Sequence, residues 1–127
     1  MKNKINSAII NSALEKAELI EPHIIKKCFC FNSDFIGFSG HFPNYPILPA
    51  IVQIIAAIIT IEEYKGLTLK LMGLDKAKFN IPILPDEIIK IECREKMINQ
   101  KLGADVELST GKGRASSFSM FYTNLFN

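Results

Sequence analysis

The sequence predicts an α+β domain in which a curled antiparallel sheet wraps round one long apolar helix. Three observations point that way. The stretch from Ala50 to Thr60 is apolar on every side of a helical wheel, with Gln53 its one polar side chain before Thr60, and a helix without a polar stripe must be enclosed by other structure. Nearly everything after Gly66 alternates in polarity or is rich in β-branched and aromatic residues, the pattern of strands. No second helix of comparable length competes for the core, so the sheet is expected to curl round the first.

The elements follow in chain order. Apolar side chains at Ile5, Ile9, Ala13 and Leu14, with charged residues along the stretch, predict a short amphipathic helix over 5–19, so that 1–20 forms an N-terminal helical segment ended by Glu21-Pro22. HIIKKCFCF (23–31) reads as a strand, NSDF as a turn and FIGFSG as extended chain. Pro43, Pro46 and Pro49 forbid a helix before position 49, because each removes an N–H and fixes φ. Pro49 suits the first turn of the helix that follows, expected over 49–64. LTLKLMGLDKAKFNI is a long strand region broken near Gly73, and PILPDE is a loop. IIKIECREKM, ADVELS and SSFSMFYTNLF alternate as strands, with TGKG as a hairpin turn.

The chain has 127 residues, enough for a single domain over 1–127 with one substantial core. Apolar residues make up 48% and charged residues 22%, a globular balance. A formal charge of +2, with Lys and Arg scattered among Asp and Glu, gives no footprint for nucleic acid. Three cysteines without a CxxC argue against a disulfide scaffold or a metal site, and fit a reducing cytoplasm. Cys28 and Cys30 share a strand face and are poorly placed to bridge. The run ending at Thr60 falls well short of the roughly 20 residues that cross a bilayer, and Asn11 and Ser12 interrupt the N-terminal apolar stretch too early for a signal peptide. The expectation is a soluble cytoplasmic protein with no membrane partner, no metal and no cofactor.

Two stretches carry a resemblance. GHFPNYPILPAIVQ (40–53) resembles the active-site signature of the hotdog-fold 3-hydroxyacyl-(acyl-carrier-protein) dehydratases, the FabZ/FabA-like family, in which a Gly-His-Phe-Pro-x-x-Pro stretch leads through Pro-Gly-Val into the central helix. GLDKAKFNIPILPDEIIKIE (73–92) is similar to that family's strand-and-loop segment, which runs from Gly-x-Asp-Lys to Phe-x-x-Pro and ends in Pro-Gly-Asp. The two occur in the family's order, and the resemblance spans about residues 23–124. Gln53 and the short length resemble the ApeI-like branch that serves aryl-polyene and related specialised lipid pathways.

The resemblance implies a chemistry. Dehydrating a 3-hydroxyacyl thioester needs a base for the α-proton, donors for the enolate-like oxygen and an acid for the departing hydroxyl. An imidazole with a pKa near 6.5 suits the first task at neutral pH, and the resemblance assigns it to His41. Backbone N–H groups at a helix N-terminus suit the second. Here that donor is the N–H of Ala50, where the family carries Gly. The third task marks a departure, because the family places Glu or Asp on the helix fourteen positions past the histidine, and residue 55 is isoleucine. Gln53 lies about 200° from position 55 round the helix and does not simply replace the acid. Glu62 and Glu63 follow two turns later, towards the expected solvent end. General acid catalysis contributes about 10²–10⁴-fold, so ordinary dehydration is expected to be impaired in a homodimer.

The remaining candidates have plainer alternatives. Phe42, Pro49 and Phe79 are expected at the acyl-binding pocket, although Phe35, Phe38, Phe42 and Phe79 are equally readable as core. Lys76 and Lys78 are either a solvated strand face or a landing patch for an acidic carrier or its phosphopantetheine phosphate. His23 reads as surface, and STGKG fails the phosphate-loop spacing. In the family the histidine of one subunit faces the carboxylate of the other, so the implied partners are an acyl-carrier-protein or coenzyme A thioester and a second hotdog subunit, identical or different.

Three functions compete. One is a dehydratase, or a double-bond isomerase that needs no acid for a hydroxyl, with His41 as base and the acid from water or a partner subunit. Another is a non-catalytic acyl-binding module or the structural half of a heterodimer, in keeping with Ile55. The third and least supported is a thioesterase, for which Asp34 is the one nearby carboxylate.

Overall fold

The computed structural model describes residues 3–38 and 46–126. Helix α1 spans Lys4–Asn11. Its N-cap is Asn3, whose side chain accepts the Asn6 N–H at 2.8 Å. The expected helix over 5–19 is therefore too long, and its end is set by pairing with the sheet. The Ser12 hydroxyl donates back to the Ala8 carbonyl, after which the chain leaves the helix to pair with the sheet. The Leu14 N–H donates to the Cys28 carbonyl, and the Ser12 carbonyl accepts from Cys30. Residues Glu18–Glu21, expected to be helical or chain-breaking, form strand β1. Tertiary hydrogen bonding to the next strand overrides a weak helical pattern.

Strand β2 covers Ile24–Cys30 and follows a tight turn in which exposed His23 has φ 69°. The stretch expected to be extended after it instead holds a 3₁₀ turn, Ile36–Phe38. Gly37 permits it, since a Cβ there would lie 2.2 Å from the Phe35 ring. Phe29, Phe31, Phe35 and Phe38 form a chain of stacked and edge-on rings, so Phe35 and Phe38 belong to the core.

Helix α2 spans Ala50–Lys65, one residue from the expected limits. Pro49 stands just outside as N-cap, with φ −62° and ψ 149°. Gly66 closes the other end in the left-handed region, its N–H donating to the Glu62 carbonyl. Strands β3 (Leu69–Phe79), β4 (Ile88–Ile98), β5 (Lys101–Thr110) and β6 (Gly113–Asn124) follow. All pair antiparallel in one six-stranded sheet of order β1-β2-β4-β5-β6-β3. The TGKG stretch is the β5–β6 hairpin turn as expected, with Thr110 opposite Gly113.

The sheet's inner face and α2 make the core. Val52, Ala56, Ala57 and Ile61 of the helix join Ile25, Phe29, Ile91, Val106, Leu108, Phe118 and Met120 of the strands. Burying one such isoleucine or phenylalanine stabilises by about 1.5–3 kcal/mol. The expectation that α2 is enclosed on every side fails along one stripe. Ile51 is 59% exposed, and Ile55 and Ile58, four and seven residues on, are half-buried. The edge strand β3 is similarly open. Leu69 is its one buried residue, while Leu71, Met72, Leu74 and Phe79 are exposed. Two register shifts interrupt β3, between Leu71 and Gly73 and between Asp75 and Lys78, with Lys76 at φ 54°. That bulge breaks the simple alternation expected for Lys76 and Lys78.

Candidate functional site at the amino end of the central helix

Two loop segments meet where α2 begins. The Leu48 N–H donates to the Ile83 carbonyl at 2.8 Å, and the N–H groups of Asn80 and Ile81 both donate to the Ala115 carbonyl. These bonds hold the approach to the helix against the loop after β3 and pin that loop to β6. Between them lies a pocket of about 340 Å³ lined by Leu48, Pro49, Ala50, Gln53, Phe79 and Ile81, among others. Most of the wall is apolar, as in small-molecule pockets generally.

Several residues expected at a site converge there. Pro49 and Phe79 are both wall residues, and the Phe79 ring stacks on Phe118 with centroids 6.1 Å apart. Ala50 is exposed and is the first residue of α2, so its N–H has no acceptor within the helix. His41 and Phe42 lie outside the described residues. Ile55 does not line this pocket; it belongs to the open stripe of α2 with Ile51 and Ile58. Lys76 and Lys78 are exposed on β3 and take no part in the pocket wall. Asp34 is exposed in its loop, its own N–H bonded to Asn32.

Gln53, the one polar side chain of the apolar run before Thr60, has a setting that its neighbours in sequence do not reveal. The side chain is 4% exposed. Its Nε2 donates to the Leu48 carbonyl at 3.2 Å and its Oε1 accepts the Ser116 hydroxyl at 2.6 Å. Ser116 was not a candidate. It stands 63 positions away on β6, and only the curl of the sheet brings it beneath the helix. Among the described residues no ionisable side chain lines the pocket, and Gln53 and Asn80 are its polar side chains.

Elsewhere several ionisable groups are tied to structure. The Lys27 ammonium is buried against Glu63 and the Glu15 carbonyl. Burial raises the Glu63 carboxyl, but the Lys27 ammonium and the Ala17 N–H outweigh it and hold the group below its ordinary value. Cys93 is wholly buried beside the Ala57 carbonyl, and burial pushes its thiol up, so it is no nucleophile. A larger groove of about 570 Å³ beside Met72, Ile98, Leu102 and Phe121 contains none of the expected site residues. No helix among the described residues is long and apolar enough to cross a membrane.

Comparison with known proteins agrees with this architecture. Residues 18–118 match the ApeI-like family, described as ApeI dehydratase. A 3-hydroxyacyl-(acyl-carrier-protein) dehydratase FabZ of Clostridium tetani is 32% identical over 112 residues, covering 80% of this chain and 73% of that one. Its counterpart in Clostridium novyi is 29% identical over 110 residues, covering 79% and 76%. Among solved structures, the dehydratase heterocomplex ApeI:P from Xenorhabdus doucetiae matches with a TM-score of 0.72 at 18% identity, over 88% of this chain and 96% of that one. The sheet curled about α2 is thus a hotdog fold, and the chain belongs to the ApeI-like family of dehydratases.

Proposed function

We propose that this chain is one half of a dehydratase acting on 3-hydroxyacyl thioesters, with the acid supplied by a second hotdog subunit. The observation that carries the reading is the pocket at the amino end of α2. It is apolar and offers a first-turn N–H, yet its described wall holds no acid. In this reading the Ala50 N–H receives the thioester oxygen as negative charge develops, aided by the helix dipole. His41, nine residues earlier in the segment leading into α2, takes the α-proton. Phe42, Pro49 and Phe79 flank the acyl chain.

Two open surfaces support a partner. The Ile51–Ile55–Ile58 stripe leaves apolar area facing outwards, and β3 leaves a backbone edge beside exposed Leu71, Leu74 and Phe79. Such an edge is commonly covered by pairing. Position 55 faces away from its own chain's pocket wall, where a carboxylate would serve a neighbouring subunit's pocket. An identical partner would bring another Ile55. A different partner would bring the acid, by analogy with the dehydratase heterocomplex ApeI:P of Xenorhabdus doucetiae. Lys76 and Lys78, exposed near Phe79 on β3, are the proposed contacts for an acidic carrier or the phosphate of its arm.

The test is conversion of 3-hydroxyacyl to 2-enoyl thioesters by the purified chain, alone and with a carboxylate-bearing hotdog subunit. Activity that appears with the partner and disappears with His41→Ala supports the proposal. Ile55 also favours a second reading, in which the chain is the structural half of a heterodimer and binds acyl groups without reacting them. Full activity of the heterodimer carrying His41→Ala would select that second reading.

A further inference from the structure

We propose that Gln53 is a substrate-contacting specificity residue that recognises the oxygen on the third carbon of the acyl chain. This deepens the reading above and rests on it. A carboxamide offers two N–H donors and two acceptor sites on its oxygen. Here one N–H is committed to the Leu48 carbonyl, and the oxygen accepts from Ser116. Among the described residues the second N–H has no acceptor, although the side chain is 4% exposed and forms part of the pocket wall. A buried donor without a partner is costly. A ligand oxygen in the pocket would satisfy it.

The orientation is set by the two existing bonds. Ser116 is itself 2% exposed, and its hydroxyl turns the amide oxygen towards β6, which leaves the nitrogen towards Leu48 and the pocket. Helical side chains lean towards the N-terminus, and this one reaches a carbonyl five residues back. The amide therefore sits beside the first turn, bonded to a carbonyl two residues before Ala50. A chain whose thioester carbonyl lies at Ala50 carries its third carbon only two atoms further on. An amide N–H can hold a hydroxyl there without protonating it. That division of labour suits a pocket whose acid comes from elsewhere.

The experiment compares two probes, 3-hydroxyoctanoyl-pantetheine and octanoyl-pantetheine, by calorimetric titration of the purified chain. The hydroxylated thioester is expected to bind about five- to tenfold more tightly, the effect of one hydrogen bond between neutral groups. Gln53→Met should bring the two affinities together. Because that change strands the Ser116 hydroxyl, the double variant Gln53→Met, Ser116→Ala serves as a better-packed second form, with the same expected result. Equal binding of both probes by the unaltered chain overturns the specificity role and leaves the acyl-thioester reading standing. A preference that persists in either folded variant overturns it too. Failure of both probes to bind overturns the acyl-thioester reading itself, and this inference with it.

Discussion

The two ends of α2 are built on opposite plans. At the carboxyl end every charged group has a structural partner. Glu62 accepts the Leu69 N–H, Glu63 pairs with Lys27, and Lys65 pairs with Glu95 at 3.0 Å. At the amino end there are no charges in the described wall, whose polar groups include the first-turn N–H of Ala50, the Asn80 side chain and a Gln53 amide with capacity to spare. Satisfied polar groups rigidify a fold, whereas a pre-positioned donor in an apolar pocket is what a ligand needs. Variants at the amino end that leave the buried Gln53–Ser116 bond intact should therefore move turnover and binding with little change in stability, and variants at the carboxyl end should do the reverse.

The largest effect is expected at His41, in the segment leading into the amino end. In the active assembly, His41→Ala should lower kcat by about 10²–10⁴-fold, the usual contribution of a general base, while the midpoint of thermal unfolding stays put. A fall in melting temperature of more than a few degrees would place His41 in the fold's support and blur the contrast between the ends. Next comes restoration of the acid. Ile55→Glu in the chain alone should raise dehydration by up to about 10²–10⁴-fold, followed by the absorbance of the 2-enoyl thioester. Position 55 is half-buried, so the new carboxyl costs some stability unless a second copy receives it. Absence of any gain would mean that the pocket has diverged beyond one side chain.

The carboxyl end yields the third prediction. Lys27 is 4% exposed, so Glu63→Gln keeps an oxygen acceptor beside the Lys27 ammonium but strips that buried charge of its counter-ion. Breaking a fully buried pair costs about 3–5 kcal/mol. Glu63 is 36% exposed along its side chain, which reduces the expected loss to about 2 kcal/mol. Denaturant unfolding measures it, with acyl binding unchanged. The same pair sets a pH dependence. The folded Glu63 carboxyl lies below its ordinary value of 4.5, so its contribution is present above that pH. It is lost as the pH falls through the lower folded value. The Gln variant should lose that part of the acid slope.

What was legible in the chain follows from how local each cause is. The apolar run predicted α2 to within a residue because Pro49 and Gly66 bound it by local backbone rules. The long strands and the TGKG turn were readable for the same reason. The helix over 5–19 was not, since its true end depends on bonds joining Ser12 to Cys30 and Leu14 to Cys28 on the next strand but one. The open stripe of Ile51, Ile55 and Ile58 was hidden because composition shows that a helix is apolar, not which face a single chain covers. At the candidate site, Pro49, Ala50 and Phe79, singled out by resemblance, line one pocket. The Gln53–Ser116 bond had no local signal, as it joins positions that only the finished sheet superposes.

The smallest expected effect concerns the rim. Lys76 and Lys78 are exposed on the edge strand, one of them in the bulge, and surface charges of this kind steer encounter more than they add affinity. Replacing both by Glu should raise KM for a carrier-bound 3-hydroxyacyl substrate several-fold at low ionic strength, with kcat unchanged. Near 0.5 M salt the difference should shrink towards nothing, because the screening length there is only a few ångströms. The short pantetheine thioester has neither an acidic carrier surface nor a phosphate, so its kinetics should not respond. If both substrates suffer alike, the bulge is shaping the pocket through Phe79 instead. The functional surface of the amino end would then extend along β3 by geometry and not by charge.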